Sequence, residues 1–152
     1  MAIENVITIV GNLADDPELR YTPSGTPVAN VRVAVNQRFF NRETGQFDER
    51  LDGFFTCNVW RDMAENAAES LKKGARVVVC GRLRSRSYDD RDGNTRWVTE
   101  IETDEIAPSL RFARAQVTRT PREGGSAQER SEDKSRGGAP PPEAPEPDDV
   151  PF

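Results

Sequence analysis

Two stretches of the chain alternate between apolar and polar residues, which is the pattern of a half-buried β-strand. One runs from Val28 to Val35 and the other from Phe54 to Trp60. Successive side chains of a strand point to opposite faces, so each stretch predicts one face toward a core. The side chains expected on those inner faces are Val31, Val33 and Val35 in the first strand and Phe55, Cys57 and Val59 in the second.

Three more strands and one helix are predicted by the same pattern. Asp62 and Glu65 resemble the capping box that begins a helix, and Gly74 is the expected stop. Three strands, a helix and two strands follow one another, which is the order of a five-stranded OB-fold Greek-key barrel. We therefore predict an all-β fold with the helix between strands 3 and 4, although periodicity alone does not exclude another small β-barrel. The remaining strands are Val6–Val10, Ala75–Leu83 and Trp97–Ile106.

Polar segments between the strands predict tight turns. Asn41–Gly45 is expected to be a hairpin loop, with Phe39 and Phe40 at its opening. The three aspartates in Asp89–Asn94 could suggest a calcium loop, but positions 1 and 12 of that pattern would fall on unsuitable residues. Asp92-Gly93 is typical of a hairpin turn, so we predict a turn there.

The composition changes near Ala113. From there to Phe152 the chain has seven prolines and four glycines, and Phe152 is its only aromatic residue. Such a segment cannot bury enough apolar surface to offset the entropy of ordering, so a disordered C-terminal tail is predicted. Its far end is acidic, with no basic residue after Arg136.

Composition also limits the chemistry. The chain of 152 residues has no histidine, which removes the commonest general base and catalysis by Ser/His or Cys/His pairs. Cys57 and Cys80 lie in apolar runs without metal-ligand spacing, so we expect two buried free thiols, no metal site and no cofactor. No apolar run is long enough to span a membrane. The net charge of −5 argues against a polyanionic ligand unless the charges are segregated.

Aromatic and arginine side chains are interleaved on the sides of the strands that we do not assign to the core. Phe54 and Trp60 share one such side, and Arg82, Arg84, Arg86 and Tyr88 fall at every second position of another strand. Aromatic rings stack on bases and guanidinium groups bind phosphates, so the pattern suggests a platform for single-stranded nucleic acid. A second hydrophobic cluster, or a subunit interface rimmed by arginines, would give the same pattern.

Several short motifs, taken together and in order, resemble the bacterial single-stranded-DNA-binding proteins. The resemblance covers residues 1–112 and the C-terminal tip, Asp-Asp-Val-Pro-Phe. The motifs are Val10-Gly-Asn-Leu13, Asp16-Pro-Glu-Leu-Arg-Tyr21, Val28-Ala-Asn30, Thr44-Gly45, Glu69-Ser-Leu-Lys-Lys-Gly74 and Gly81-Arg-Leu-Arg84.

The resemblance implies a homotetramer of OB folds that coats single-stranded DNA during replication, recombination and repair in the cytoplasm, at the nucleoid. Motif by motif, the base-stacking aromatics of the family fall on Phe39, Phe54, Trp60 and Tyr88. Well-studied members have Trp where this chain has Phe39, Phe54 and Tyr88. The arginines that we expect to neutralise phosphates are Arg84 and Arg86, with Arg32 and Arg96 added.

We predict three segments. Residues 1–112 would bind DNA and form the oligomer, and 113–147 would be a disordered linker. Residues 103–112 resemble actinobacterial members, in which the segment after the last barrel strand clamps a neighbouring subunit. We therefore expect a short clamp strand at 109–118; a frayed domain end is the alternative. The family resemblance implies that residues 148–152 bind helicases, exonucleases, primase and polymerase subunits. The predicted contact residues of this tip are Asp148, Asp149, Val150, Pro151 and Phe152.

Two other functional classes remain as alternatives to a non-catalytic coat protein. A metal-dependent nuclease on an OB fold would need clustered carboxylates on its DNA-binding face, and the sequence indicates none there. A protein-interaction module of the same fold would not need an acidic tip that ends in phenylalanine.

Overall fold

The computed structural model describes residues 3–121, and the tip residues 148–152 lie outside this part of the chain. Residues up to Gln116 form one compact unit, and the second unit begins at Val117. Within the described residues there are six strands and one helix: β1 (Val6–Leu13), β2 (Glu18–Tyr21), β3 (Pro27–Asn41), β4 (Gln46–Trp60), α1 (Asp62–Ser70), β5 (Arg76–Asp89) and β6 (Thr95–Pro108).

The strands form a single sheet in the order β1-β5-β6-β4-β3-β2. Pairing of Asn12 and Leu13 in β1 with Ala34 and Val33 in β3 closes it into a barrel. β4 and β6 run parallel to each other, while the other neighbouring strands are antiparallel. The predicted all-β barrel with one helix is confirmed.

The short strand β2 is the main difference in strand count. Its four residues pair with the beginning of β3, so six strands are found where five were predicted. Turn residues on either side conceal so short a strand, because four residues are too few for a convincing alternation. The helix lies between β4 and β5, which are the third and fourth strands when β2 is left out.

The barrel core contains the inner faces that alternation predicted. Val31, Val33, Cys57 and Val59 are fully buried, whereas Val35 and Phe55 are partly buried and pack against the core. Two glycines allow the barrel to close tightly. A Cβ on Gly11 would collide with the carbonyl oxygen of Ala34, and a Cβ on Gly81 would collide with that of Glu102.

The ends of the helix differ from the prediction. Arg61, with φ 59°, occupies the N-cap position without a capping side chain, and Asp62 belongs to the first helical turn. A carboxylate there still interacts favourably with the positive end of the helix dipole. The helix stops at Ser70, before Gly74, because Leu71 is extended; Gly74 has φ 88° in the turn that follows.

The two cysteines have different environments, and both are free. Cys57 is fully buried, and burial raises the pKa of its thiol to about 12. Cys80 is only partly buried, because it lies on the outer side of β5, and its sulfur accepts a hydrogen bond from the Thr8 hydroxyl at 3.4 Å. The prediction of two buried thiols is therefore correct for Cys57 and wrong for Cys80.

Candidate nucleic-acid interface

The outer face of β3 and β4 presents a row of exposed aromatic and polar side chains. Cys57 and Val59 of β4 point into the core, so Phe54, Thr56, Asn58 and Trp60 point outward. Phe54 is 48% exposed and Trp60 is 37% exposed. We call this outer face, with Arg32 of β3, the platform.

Arg32 and Phe54 form the first defined contact of the platform. The guanidinium carbon of Arg32 lies 4.2 Å from the centre of the Phe54 ring, which is the geometry of a cation–π interaction. Pairing of Arg32 with Thr56, and of Ala34 with Phe54, places these side chains on the same side of the sheet. A positive charge and an exposed ring are thus held together, as a nucleotide's phosphate and base require.

Trp60 is held by a carboxylate from the neighbouring strand. Its indole Nε1 donates a hydrogen bond to Glu102 Oε2 at 2.9 Å. Trp60 would otherwise be free to turn about its side-chain torsions, and the bond to β6 restricts its ring. The ring is therefore oriented before any ligand arrives.

Glu100 links three strands across the same face. Its carboxylate accepts hydrogen bonds from Asn58 Nδ2 at 3.0 Å and from Arg86 Nε and Nη2 at 3.2 and 3.1 Å. The hydrogen bond from Arg86 lowers the pKa of Glu100 despite its partial burial, and the same bond raises the pKa of Arg86. Arg86 remains 61% exposed at its side chain, so a phosphate can approach it.

The other arginines of β5 are also paired with carboxylates. Arg82 lies 3.2 Å from Glu4 and 3.1 Å from Asp104, and the hydrogen bond that it donates to Glu4 is the main cause of its raised pKa. Arg84 lies 3.7 Å from the same Glu4 carboxylate and is more exposed than Arg82. A phosphate that approached either arginine would have to displace a carboxylate.

Tyr88 and Arg96 lie opposite each other near the tip of the β5–β6 hairpin. Tyr88 is 46% exposed. Arg96 Nε donates to Asp90 Oδ2 at 2.9 Å, and Asp90 Oδ1 accepts hydrogen bonds from the backbone N–H groups of Asp92 and Asn94. The predicted turn is confirmed, since these bonds close it and Gly93 has a positive φ of 77°.

Phe39 lies apart from the platform. The prediction that Phe39 and Phe40 open a loop is wrong, because β3 continues to Asn41 and only the turn that follows is a loop. Residues 36–51 form a two-stranded extension, which we call the arm, that pairs with no other described strand. Alternation along β3 places Phe39 on the opposite face from Arg32, and Arg50 lies 5.6 Å from its ring centre.

Sequence reasoning missed several side chains of these surfaces. The carboxylates of Glu100 and Glu102 lie on the platform face, where none was expected, although each is already bonded to neighbouring side chains. Their positions become visible only when β6 is placed beside β4. Trp97, 74% exposed, and Phe47, 60% exposed, were also overlooked, although both lie in strands with large apolar residues on an outer face.

Two kinds of site do not occur in the described part of the chain. Between residues 3 and 121, no group of three or more histidine, cysteine or acidic side chains is arranged to hold a metal ion. Nor does any helix in that range have the length and apolar character that crossing a membrane requires.

A family model described as the single-strand binding protein family matches residues 4–109. The chain belongs to this family. Similar curated proteins are each named single-stranded DNA-binding protein. The one from Corynebacterium glutamicum is 58% identical over 120 residues, covering 79% of this chain and 53% of that protein. The one from Mycobacterium tuberculosis is 54% identical over 125 residues, covering 82% of this chain and 76% of that protein.

A solved structure is also similar to this member of the family. It is the crystal structure of a small single-stranded DNA-binding protein from Streptomyces coelicolor, with 37% identity and a TM-score of 0.60. The match covers 70% of this chain and 95% of that one. The resemblance inferred from the motifs is confirmed, as is the prediction that the chain is not an enzyme, because the family is non-enzymatic. This chain spans about half the length of the Corynebacterium relative.

Proposed function

We propose that this protein binds single-stranded DNA without sequence preference and coats it during replication, recombination and repair. The observation that supports this most directly is the platform, where Arg32 covers Phe54 and a hydrogen bond holds Trp60. Stacking on exposed rings tolerates any base, because every base has a π-face. Phe54, Trp60 and Tyr88, with Phe39 on the arm, are the proposed stacking residues.

Arg32, Arg84, Arg86 and Arg96 are proposed to neutralise phosphates. All four residues are exposed on the outside of the sheet. Binding should therefore weaken as salt rises, with a log–log slope of roughly −0.7 for each phosphate neutralised. Paired bases hide their faces, so double-stranded DNA should compete poorly.

The test is a titration of oligo-dT into the protein, followed by tryptophan fluorescence at two salt concentrations. Alanine at Trp60 or at Phe54 should each weaken binding by about 1 to 3 kcal/mol. Circular dichroism should show both variants folded. Wild-type affinity in both would remove the platform from the binding site.

We also propose that the protein assembles as a homotetramer and works in the cytoplasm, at the nucleoid. Exposed apolar residues on the outside of the sheet, such as Val6 at 72% and Val10 at 40%, suit a further protein surface. Residues 109–118 contain no strand in the single chain, and a clamp would take its partner strand from a neighbouring subunit. Deleting residues 109–118 should then lower the thermal stability of the tetramer. After heating, sedimentation should show less tetramer for the deleted protein than for the wild type.

The acidic tip is the proposed attachment point for helicases, exonucleases, primase and polymerase subunits. The ring of Phe152 would enter an apolar pocket, and Asp148 and Asp149 would meet a basic rim. Deletion of Phe152 should abolish capture of these partners while oligo-dT affinity stays the same or rises slightly. Recovery of the same partners by the deleted protein would leave the tip with no recruiting role.

A further inference from the structure

The face of β3 that carries Arg32 continues into the arm. The register shifts by one residue between Val35 and Asn36, and β4 supplies the extra residue, since Val35 pairs with Gly53 and Asn36 with Leu51. Alternation along β3 is therefore uninterrupted from the barrel into the arm. The side chains on the face of Arg32 and their β4 partners are Ala34 with Phe54, Asn36 with Leu51, Arg38 with Glu49 and Phe40 with Phe47.

An arginine beside a phenylalanine ring occurs twice on this face. Arg32 lies 4.2 Å from the ring centre of Phe54, and Arg38 lies 4.7 Å from that of Phe47. The two arginines are separated by six positions of β3, which corresponds to roughly 20 Å along a strand. Phe40 packs edge-on against Phe47, with ring centres 5.2 Å apart. Both rings remain accessible, at 52% and 60% exposure.

The charge beside this second arrangement suits a polyanion. Arg38 lines a hollow of about 240 Å³ together with Arg76 and Arg111, and Glu49 is the one acidic side chain among the lining residues. Arg76 Nε is buried and has no hydrogen-bond partner within residues 3–121. A buried N–H without an acceptor is costly, and a phosphate oxygen would relieve that cost.

On the basis of the function proposed above, we propose that single-stranded DNA continues from the platform along this face of the arm. Bases stack on the Phe40–Phe47 pair, while Arg38, with Arg76 behind it, meets the phosphates. The arm thus has a DNA-binding face of its own, opposite the face that carries Phe39. The guanidinium groups of Arg38 and Arg76 suit a ligand that carries one phosphate per nucleotide.

The test compares two lengths of oligo-dT on the full chain. One is short, about 8 nucleotides, and the other is long, about 35 nucleotides, because one OB fold occupies about 4 to 16. F40A/F47A should bind the long oligomer about 5-fold to 100-fold more weakly than the wild type, the range that stacking energies predict. It should change binding of the short oligomer much less, since the platform is intact.

W97A is the matched control. Trp97 is a large exposed ring on the opposite side of the β5–β6 hairpin from Tyr88, and at this position β6 pairs with β5 and not with the arm. Its removal should leave the ratio of long to short affinities unchanged. An equal change in that ratio for W97A would mean that any lost exposed ring has this effect, which would overturn the proposal.

F47W gives a signal that does not depend on truncation. A tryptophan at this position should keep the affinity and add fluorescence that the long oligomer quenches more than the short one. The proposal would be overturned if both oligomers quenched F47W equally, or if F40A/F47A bound the long oligomer as tightly as the wild type does. The proposed function would still stand in either case, provided that the wild-type protein binds oligo-dT. If the wild type failed to bind either oligomer, the proposed function itself would fall.

Sedimentation separates DNA from the other possible occupant. F40A/F47A should retain the oligomeric state of the wild type. F40A/F47A could instead form a smaller assembly and regain affinity for the long oligomer at protein concentrations that restore the wild-type assembly. That result would show that a second copy of the chain covers this face.

Discussion

The β3–β4 ribbon has two halves that differ in what their faces do. Inside the barrel, one face is buried and carries Val31 and Cys57, while the other is exposed and carries Arg32 and Phe54. In the arm neither face is buried, and each has an arginine near a phenylalanine ring. The first half is specified by burial, whereas the second is positioned only by its pairing and its turn. The comparison shows how a barrel can extend a row of exposed rings and arginines beyond its own core.

The largest difference expected between the halves is in stability. Ile101 is 1% exposed and paired with Cys57. Replacing it by alanine should lower the free energy of unfolding of the protein by about 2 to 5 kcal/mol. Phe40→Ala in the arm should cost less than about 1 kcal/mol, because the ring is already half exposed. Urea denaturation measures both. Similar losses would mean that the arm shares a core with the barrel.

A smaller effect is expected where the barrel closes. Gly11→Ala would drive a methyl group into the backbone of Ala34 and should destabilise the fold by about 1 to 3 kcal/mol. Gly53→Ala is the matched control, because a methyl group there meets no atom within 4 Å and the backbone is not left-handed. Thermal denaturation of both variants would show equal stability if the seam could relax.

Removing a carboxylate from the platform should change the affinity for oligo-dT by a still smaller free energy. Glu100→Gln removes the ion pair with Arg86 and leaves an oxygen that can accept from Asn58. We expect oligo-dT to bind more tightly by up to about fivefold, since an ion pair whose arginine is largely exposed contributes about 1 kcal/mol or less. Equilibrium titration at fixed salt is the measurement. Weaker binding in a folded variant would show that Glu100 chiefly positions Arg86.

The smallest effect concerns pH and the β5–β6 turn. Hydrogen bonds, first from Arg96 and then from the backbone of Asn94, lower the pKa of Asp90 in the folded protein. The carboxylate therefore stabilises the fold above its unfolded pKa of about 3.9, and this contribution is lost as the pH falls through the lower, folded value. Urea unfolding between pH about 5 and about 2.5 should be slightly less acid-sensitive in Asp90→Asn. An identical pH profile in both proteins would leave Asp90 without a measurable part.

The sequence predicted the barrel half of the ribbon because burial of one face imposes a strict alternation on Val31, Val33, Cys57 and Val59. It did not predict the arm. With both faces exposed, neither face selects apolar residues, so alternation predicted a strand only as far as Val35 and placed Phe39 and Phe40 at the opening of a loop. Contacts between strands were also out of reach. Glu102 meets Trp60 only because β6 lies parallel to β4, and that neighbour relation is not written in either strand.

The arginines of the sheet are already paired with carboxylates, and this pairing affects how strongly the affinity for DNA depends on salt. In the proposed complex, DNA displaces Glu4 from Arg84 and Glu100 from Arg86, and each freed carboxylate becomes an exposed anion that gathers sodium or potassium from solution. This uptake offsets part of the cation release from the DNA, which is what the slope of affinity against salt measures. The number of phosphates read from that slope will therefore be smaller than the number of arginines in contact with them.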